Sequence, residues 1–249
     1  MLLLRLAELL TILDPLLFNS LLKGVVAGVE HKSVLQGLEF ECVVDVGANR
    51  GQFALISHRL FPKAKIYSFE PLQEPARIFE QVLGKVPNMT LFPFAVGPEK
   101  TTAAIHVTRD DDSSSLLPVM KVHSSMFPGT LEKETRQVAV LPLSEALAGQ
   151  AIPPASLLKI DVQGFELEVL KGCENLLRNF SHLYIECSFV ELYQGQALAH
   201  QVISWLERRD FILRGVYNLY YAKEGGAMGG DFLFVASGRR GIPRCAFSL

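Results

Sequence analysis

A turn bracketed by two glycines is the first stretch of this sequence that could hold a ligand. An apolar run, Val43–Val46, includes Asp45 and leads into Gly47, Ala48, Asn49, Arg50 and Gly51. An apolar-periodic segment then begins at Phe53. Because glycine has no Cβ, the backbone of such a turn can approach a ligand closely. We therefore predict a strand, a ligand-binding turn and the start of a helix.

Acidic residues stand at the ends of other predicted elements. Glu70 ends the second strand, where a carboxylate can accept hydrogen bonds from a ribose diol. Asp161 ends a later strand and is our first candidate for a base that takes a hydroxyl proton. Glu186, at the end of the next strand, and Glu166, at a helix start, are further catalytic candidates. Each has a structural alternative, because carboxylates also cap turns and suit the positive end of a helix dipole.

The spacing of the glycines discriminates between nucleotides. A dinucleotide site needs G-x-G-x-x-G, whereas this turn reads G-x-x-x-G with Asn49 at the position of the second glycine. Asp45 is a poor neighbour for a pyrophosphate and a good one for an ammonium group. The pattern favours a nucleoside without phosphate, and S-adenosylmethionine fits that description. A nicotinamide-dependent oxidoreductase and a non-catalytic partner-binding protein stay open as alternatives.

Strand-like and helix-like segments alternate around these residues. The first half predicts strands at Cys42–Val46, Lys65–Phe69 and Thr90–Phe94, with helices from Gln52 and Pro75 between them. The second half predicts strands at Ser156–Ile160 and Leu183–Cys187, a helix at Ala199–Arg208, and a hairpin of Ile212–Tyr217 with Asp231–Ala236. This order predicts an α/β, Rossmann-like fold with a mostly parallel sheet and helices on both faces.

The middle of the chain departs from that alternation. Two extra strands, Ala103–Val107 and Gln137–Leu141, flank a polar stretch from 109 to 136. A loop of that length inside a compact domain is usually a lid or a binding loop. It contains His123 and the run Asp110-Asp111-Asp112, which we expect to be solvated.

Three sequence blocks resemble the FkbM-type methyltransferases. They are Asp-Val-Gly-Ala-Asn-Arg-Gly at 45–51, Ser-Phe-Glu-Pro at 68–71, and the most specific, Leu-Lys-Ile-Asp-Val-Gln-Gly-Phe-Glu-Leu-Glu-Val-Leu-Lys-Gly, at 158–172. The resemblance covers about residues 42–236. It implies a class I methyltransferase fold with seven strands, the last one antiparallel, and methyl transfer from S-adenosylmethionine to a hydroxyl of a sugar or natural product.

The same resemblance distributes roles within the site. It implies that the glycine turn lines the methionine part, Glu70 the ribose, and Phe94 with Ala95 the adenine. Together with the strand-end reasoning, the expected cofactor residues are Asp45, Gly47, Ala48, Asn49, Gly51, Glu70, Pro71, Phe94, Ala95 and Asp161.

Charge and cysteine usage narrow the partners. The net charge is −2, which offers no basic stripe for nucleic acid, so we expect a small-molecule acceptor. The four cysteines are scattered without a C-x-x-C pair, which is typical of reduced thiols in a cytoplasmic protein. Two carboxylates, Asp161 and Glu186, are weak grounds for Mg²⁺, and we expect no metal.

The N-terminus is apolar but does not read as a membrane span. Met1–Leu22 carries Arg5, Glu8 and Asp14, with Pro15 among them. Its leucines form one helical stripe, which suits packing on the domain, a second copy in a homodimer, or an interfacial membrane contact. We divide the chain into an N-terminal helical extension (1–40), a methyltransferase domain (41–238) and a tail (239–249).

Overall fold

The computed structural model describes residues 14–223 and 225–238 of the 249-residue chain. A seven-stranded sheet forms its centre, with the strand order β3-β2-β1-β7-β8-β10-β9. Its strands are β1 (Cys42–Val46), β2 (Lys65–Phe69), β3 (Met89–Phe92), β7 (Ser156–Ile160), β8 (Phe180–Ser188), β9 (Phe211–Tyr221) and β10 (Ala227–Ala236). A smaller sheet, with the order β4-β6-β5, consists of β4 (Ala95–Val96), β5 (Thr101–Thr108) and β6 (Glu132–Leu141).

Helices and helical turns connect these strands. The α-helices are α1 (Pro15–Leu22), α2 (Lys32–Leu35), α3 (Gln52–Leu60), α4 (Gln73–Leu83), α5 (Lys121–Met126), α6 (Leu143–Ala146), α7 (Glu166–Gly172) and α8 (Ala199–Glu207). Shorter 3₁₀ turns lie at Val29–His31, Asp111–Ser113, Pro128–Thr130 and Glu174–Asn179.

The strand directions confirm the predicted fold class. β1 pairs in parallel with β2 and β7, and β7 pairs in parallel with β8. β10 runs antiparallel to both β8 and β9, so the expected terminal hairpin is present. Every residue of β1 is buried, as a parallel strand covered on both faces requires. The carboxyl ends of β1, β2, β7 and β8 therefore meet at one edge, where ligands bind in sheets of this kind.

The stretch 109–136 contains more regular structure than a loop. Two 3₁₀ turns and α5 occupy 111–130, and β6 begins at Glu132 and pairs antiparallel with β5. The first residues of β6 are polar because they are solvent-exposed, and Arg136 forms an ion pair with Glu74 at 2.6 Å. The predicted third strand also ends early, at Phe92, because Pro93 has no amide hydrogen to continue the ladder.

Residues before β1 pack against the main sheet. Asp14 caps α1 by accepting hydrogen bonds from the amides of Leu16, at 2.9 Å, and Leu17, at 3.4 Å. Leu17 and Leu35 are buried in the same cluster as side chains of α3 and α4. The predicted leucine stripe at 2–13 and the tail at 239–249 lie outside the described residues. Within the described part of the chain, no helix is long and apolar enough to cross a membrane.

Candidate active site

Two pockets adjoin each other at the carboxyl ends of the parallel strands. The central pocket is lined by the glycine turn after β1, by Glu70 after β2, and by the Phe94–Ala95 segment. The acidic pocket is lined by Glu166, Glu186 and residues of the 109–131 segment. Asp161 and Gln163 line both pockets. A side chain at this shared wall can contact a ligand in either pocket.

The two glycines of the turn have different functions. Gly47 has φ +83°, and a Cβ there would collide with the backbone carbonyl of Asp161, so glycine lets β1 and β7 end side by side. Gly51 has φ +94°, and a Cβ there would lie 2.9 Å from the Phe79 ring. Gly51 thus packs on α4 and does not line the central pocket, whereas Gly47, Ala48 and Asn49 do.

Glu70 is buried at the wall of the central pocket. Its Oε2 accepts a hydrogen bond from the Asn49 amide at 2.9 Å, and its Oε1 accepts one from the Leu72 amide at 2.8 Å. Each carboxylate oxygen keeps a free lone pair, so Glu70 can still accept hydrogen bonds from a diol. Burial raises the pKa of Glu70 to about 7, although the two amides oppose the rise. Pro71, Phe94 and Ala95 line the pocket near it.

Lys159 lies between two acidic residues and is a site feature that the sequence reasoning missed. Its Nζ is 3.3 Å from Asp45 Oδ1 and 3.4 Å from Asp161 Oδ2, and it donates a hydrogen bond to the Gly47 carbonyl at 3.2 Å. The Lys159 side chain is 7% exposed and that of Asp45 is 0% exposed. The positive charge beside Asp45 is thus that of Lys159, and Asp45 lies beneath the central pocket without lining it.

The pKa values of this cluster follow from burial and charge. Burial raises the pKa of Asp45, and Lys159 offsets part of that rise. Burial lowers the pKa of Lys159, but Asp161 and Asp45 outweigh it, and the net pKa lies above its ordinary value. Lys159 is therefore a fixed cation. A signal for it existed in the sequence, because Lys159 is two residues before Asp161 in a short strand and the two side chains share a face.

Gln163 connects the two candidate catalytic carboxylates. Its Nε2 donates hydrogen bonds to Asp161 Oδ1 and Glu186 Oε2, both at 2.8 Å. Gln163 adopts φ +58°, a conformation that is uncommon outside glycine and is found at functional sites. The Tyr193 hydroxyl lies 2.9 Å from Gln163 Oε1, on the other side of the amide. The structure thus brings Asp161 and Glu186 together through Gln163, a glutamine that the sequence reasoning had not singled out.

Asp161 and Glu186 have opposite pKa shifts. Burial favours the neutral form of Asp161, but Lys159 and the hydrogen bonds from Gln163 and Glu186 outweigh it, and the pKa of Asp161 lies below its ordinary value. Burial and the Asp161 charge raise the pKa of Glu186 well above its ordinary value. These opposite shifts favour a proton on Glu186 over one on Asp161, and leave Asp161 as the member of the pair that more readily stays ionised.

Glu166 closes the turn that follows β7. Its Oε1 accepts hydrogen bonds from the amides of Val162, at 3.2 Å, and Gly164, at 2.9 Å. The side chain is buried, and burial raises its pKa to about 7. These contacts give Glu166 the structural role that its place at a helix start allowed, although it also lines the acidic pocket.

His123 and Asp111 differ from the expected solvated loop, whereas Asp110 and Asp112 are exposed as expected. His123 is buried against Tyr193, with ring centroids 5.0 Å apart, and burial lowers its pKa. Asp111 pairs with Arg50 at 2.7 Å and accepts a hydrogen bond from Asn49 Nδ2 at 3.2 Å. The segment is thus tied to the glycine turn and forms part of the central pocket wall. Within the described residues, no three acidic, histidine or cysteine side chains are grouped as a metal site.

Comparison with known proteins identifies the family of this chain. The family model described as "Methyltransferase FkbM domain" matches residues 45–213. The chain belongs to this family. It is an S-adenosylmethionine-dependent methyltransferase, which excludes the nicotinamide-dependent oxidoreductase considered from the sequence.

Curated relatives of this methyltransferase carry related names. The chain is 28% identical to the 2-O-methyltransferase NoeI of Sinorhizobium fredii, over 73% of this chain and 78% of that protein. It is 25% identical to the hexuronic acid methyltransferase AglP of Haloferax volcanii, over 59% of this chain and 56% of that protein. It is 28% identical to the 31-O-demethyl-FK506 methyltransferase FkbM of Streptomyces tacrolimicus, over 54% of this chain and 60% of that protein.

Part of the central pocket of this methyltransferase lies outside the matched domain. Glu30 and His31 line the pocket together with Gln52 and Phe53. Glu30 and His31 precede residue 45, where the matched domain begins. Sequence reasoning missed them because residues 1–40 carry no motif of the family. Of the ten expected cofactor residues, all except Asp45 and Gly51 line the central pocket.

Proposed function

We propose that this methyltransferase methylates a hydroxyl of a sugar or another small metabolite and that Asp161 is the base. The observation that carries the proposal is the position of Asp161, a charged carboxylate on the wall shared by the two pockets. The relatives' names, a 2-O-methyltransferase and a hexuronic acid methyltransferase, support an oxygen acceptor and a sugar. The donor belongs in the central pocket and the acceptor in the acidic pocket.

The central pocket suits each part of S-adenosylmethionine. The glycine turn allows close approach of the methionine part, and Glu70 retains lone pairs for the ribose hydroxyls. Phe94 and Ala95 offer an apolar seat for the adenine. Gln52 Oε1 is buried without a hydrogen-bond partner among the described residues, and an ammonium group would provide one. These assignments, including Asp45 beneath the turn, remain predictions.

The chemistry required of the protein is mainly alignment. Bound S-adenosylmethionine supplies a methyl group on a sulfonium, so the C–S bond breaks as the O–CH₃ bond forms and positive charge disperses. Asp161 accepts the hydroxyl proton as the oxygen becomes bonded to carbon. Lys159 keeps Asp161 ionised, and Gln163 fixes its orientation. Because the two pockets adjoin each other at Asp161, they would place donor and acceptor side by side, which contributes through proximity.

Replacing each member of the carboxylate pair by its amide tests the proposal. Asp161→Asn should lower kcat about 10²- to 10⁴-fold, because an amide cannot take the proton. Its affinity for S-adenosylhomocysteine should change less than about threefold. Glu186→Gln is the matched control, since burial and the Asp161 charge favour the protonated form of Glu186, and it should lower kcat about tenfold at most. The assay is transfer of a labelled methyl group to a panel of uronic acids, glycosides and polyols.

Two results would contradict this assignment. Unchanged turnover in Asp161→Asn would remove Asp161 as the base. A Glu186→Gln variant as inactive as Asp161→Asn would contradict the view that only Asp161 of the pair accepts the proton.

We also infer that the apolar surface of the N-terminal extension makes a weak contact with a partner or a membrane. Phe18, Leu21, Leu22, Val26 and Val29 are exposed on this segment. A homodimer through this surface would appear in light scattering, and a membrane contact in flotation with lipid vesicles.

Cys42, Cys173 and Cys187 are buried free thiols, which supports a cytoplasmic location. The division into 1–40, 41–238 and 239–249 also remains a prediction, as does the absence of nucleic acid and metal from the reaction.

A further inference from the structure

A short segment before the family domain forms a wall of the central pocket. The amide of Gly28 donates a hydrogen bond to the Gln52 carbonyl at 3.0 Å, which attaches the segment to the first residue of α3. The 3₁₀ turn Val29–His31 follows, and its Glu30 and His31 line the pocket. A Cβ at Gly28 would lie 2.8 Å from His31 Cδ2, so the position of the imidazole requires a glycine there.

His31 is held by polar groups of the antiparallel end of the sheet. Its Nδ1 lies 3.1 Å from the Tyr184 hydroxyl and 3.5 Å from Asp231 Oδ2. Tyr184 and Asn218 both donate hydrogen bonds to that carboxylate, at 3.0 Å and 2.8 Å. The His31 side chain is only 15% exposed and contacts the Phe53 ring edge-on, with centroids 5.2 Å apart. The ring is thus fixed from beneath the pocket.

The opposite side of the imidazole faces Glu30. His31 Nε2 is 3.4 Å from Glu30 Oε1, and the Glu30 side chain is 56% exposed. Gln52, which lines the same pocket and whose backbone carbonyl accepts the Gly28 amide, has a buried Oε1 with no hydrogen-bond partner among the described residues. Two acceptors, one of them charged, therefore line the central pocket on segments joined by the Gly28–Gln52 hydrogen bond. The Lys159 ammonium contacts Asp45, Asp161 and the Gly47 carbonyl, so it does not neutralise the charge of Glu30.

We propose that Glu30 and Gln52 bind the ammonium of the amino acid part of S-adenosylmethionine and that His31 is a positioning residue for Glu30. The inference rests on the proposed placement of the donor in the central pocket. It assigns a ligand role to residues 28–31, which precede the matched domain at 45–213. The ammonium would supply the hydrogen that Gln52 Oε1 lacks and a charge opposite to that of Glu30.

Two ligands that differ in the amino acid part test the proposal. S-Adenosylhomocysteine carries that part, whereas 5′-methylthioadenosine keeps the adenine, the ribose and a thioether but lacks it. By titration calorimetry, Glu30→Gln should weaken S-adenosylhomocysteine binding about fivefold and leave 5′-methylthioadenosine binding unchanged, as expected for loss of a partly exposed ion pair. His31→Ala should show the same selectivity. Glu39→Gln, an exposed glutamate of the same extension away from the pocket, is the matched control and should change neither affinity.

The outcomes separate this proposal from the proposed function. Equal weakening of both ligands in Glu30→Gln and His31→Ala would show that the segment only supports the fold, and no weakening of either would show that it does not contact the donor. Each result overturns the inference while leaving the donor site intact. Failure of the unmodified protein to bind S-adenosylhomocysteine would instead contradict the proposed function. Because Glu30→Gln keeps the shape of an exposed side chain, its fold can be checked by thermal unfolding alongside the titrations.

Discussion

Replacing Lys159 with methionine leaves the carboxylates of Asp45 and Asp161 without the cation that both of them face. Asp45 is fully buried, and its Oδ1 lies 3.3 Å from Lys159 Nζ. Removing one member of a buried ion pair costs about 3–5 kcal/mol, because the remaining charge stays desolvated. We expect Lys159→Met to lower the free energy of unfolding by that amount at pH 7, measured by urea denaturation.

The partner variant provides the internal control. Asp45→Asn removes the buried charge that Lys159→Met leaves without a partner. The variant that carries both substitutions should therefore lose less free energy of unfolding than the two single variants lose together. A coupling energy of about 2 kcal/mol or more is expected for residues in direct contact. Additive losses, or a loss below about 1 kcal/mol for Lys159→Met, would refute the view that Lys159 neutralises the buried Asp45.

The same substitution should change the pH dependence of turnover. Lys159 contributes to the low pKa of Asp161, and its Nζ lies 3.4 Å from Asp161 Oδ2. A base acts when it is deprotonated, so turnover rises as the pH passes its pKa. In Lys159→Met the pKa of Asp161 rises, and the acidic limb of the kcat profile should move to higher pH. An unmoved limb would mean that a group other than Asp161 limits the reaction.

Three further substitutions test separate parts of the site. Glu70→Gln should weaken S-adenosylhomocysteine binding about tenfold in calorimetry, because an amide offers one acceptor oxygen where the carboxylate has two; unchanged affinity would place the ribose elsewhere. Burial raises the pKa of Glu166 to about 7, so ionisation of Glu166 opposes folding as the pH rises from about 4.5 to 7. Over that range the free energy of unfolding of the wild type, measured in urea, should fall by about 1–3 kcal/mol relative to that of Glu166→Gln. A constant difference between the two proteins would refute the raised pKa. Gly51→Ala should cost about 1–3 kcal/mol because of its φ of +94° and the contact with Phe79, and the folded protein should bind S-adenosylhomocysteine normally; a selective loss of binding would place Gly51 in the donor site.

The fold was predictable because its strands are short and buried and have glycine turns or acidic residues at their ends. β1, β2 and β7 were placed to the residue, and the terminal hairpin was expected from its glycine-rich turn. The least accurate prediction was the 109–136 stretch. The exposed residues at the start of β6 are polar, so neither the alternation nor the apolar content of a buried strand is present.

The candidate site residues at the ends of single strands could be predicted from the sequence, but the contacts between residues on different strands could not. Asp161, Glu186 and Glu70 were recognised because each ends a predicted strand. Lys159 was missed because its meaning depends on the register that sets it opposite Asp45. Glu30 and His31 were missed for a similar reason, since their place in the central pocket depends on a backbone hydrogen bond from Gly28 to α3. The spacing of Lys159 and Asp161 is a local signal, but no local pattern encodes the pairing of Lys159 with Asp45 or of Gly28 with Gln52.

The choice of base also depends on a relation between strands. Asp161 and Glu186 hydrogen-bond the same Gln163 amide, and both side chains line the acidic pocket. Lys159 contacts Asp161, which lowers the pKa of Asp161, whereas burial and the Asp161 charge raise the pKa of Glu186. A protonated Glu186 can in turn donate a hydrogen bond to Asp161. This hydrogen bond stabilises the ionised form of Asp161, the proposed base, until an acceptor hydroxyl binds. In the proposed mechanism, the buried cation on β7 is therefore the feature that favours Asp161 over Glu186 as the proton acceptor.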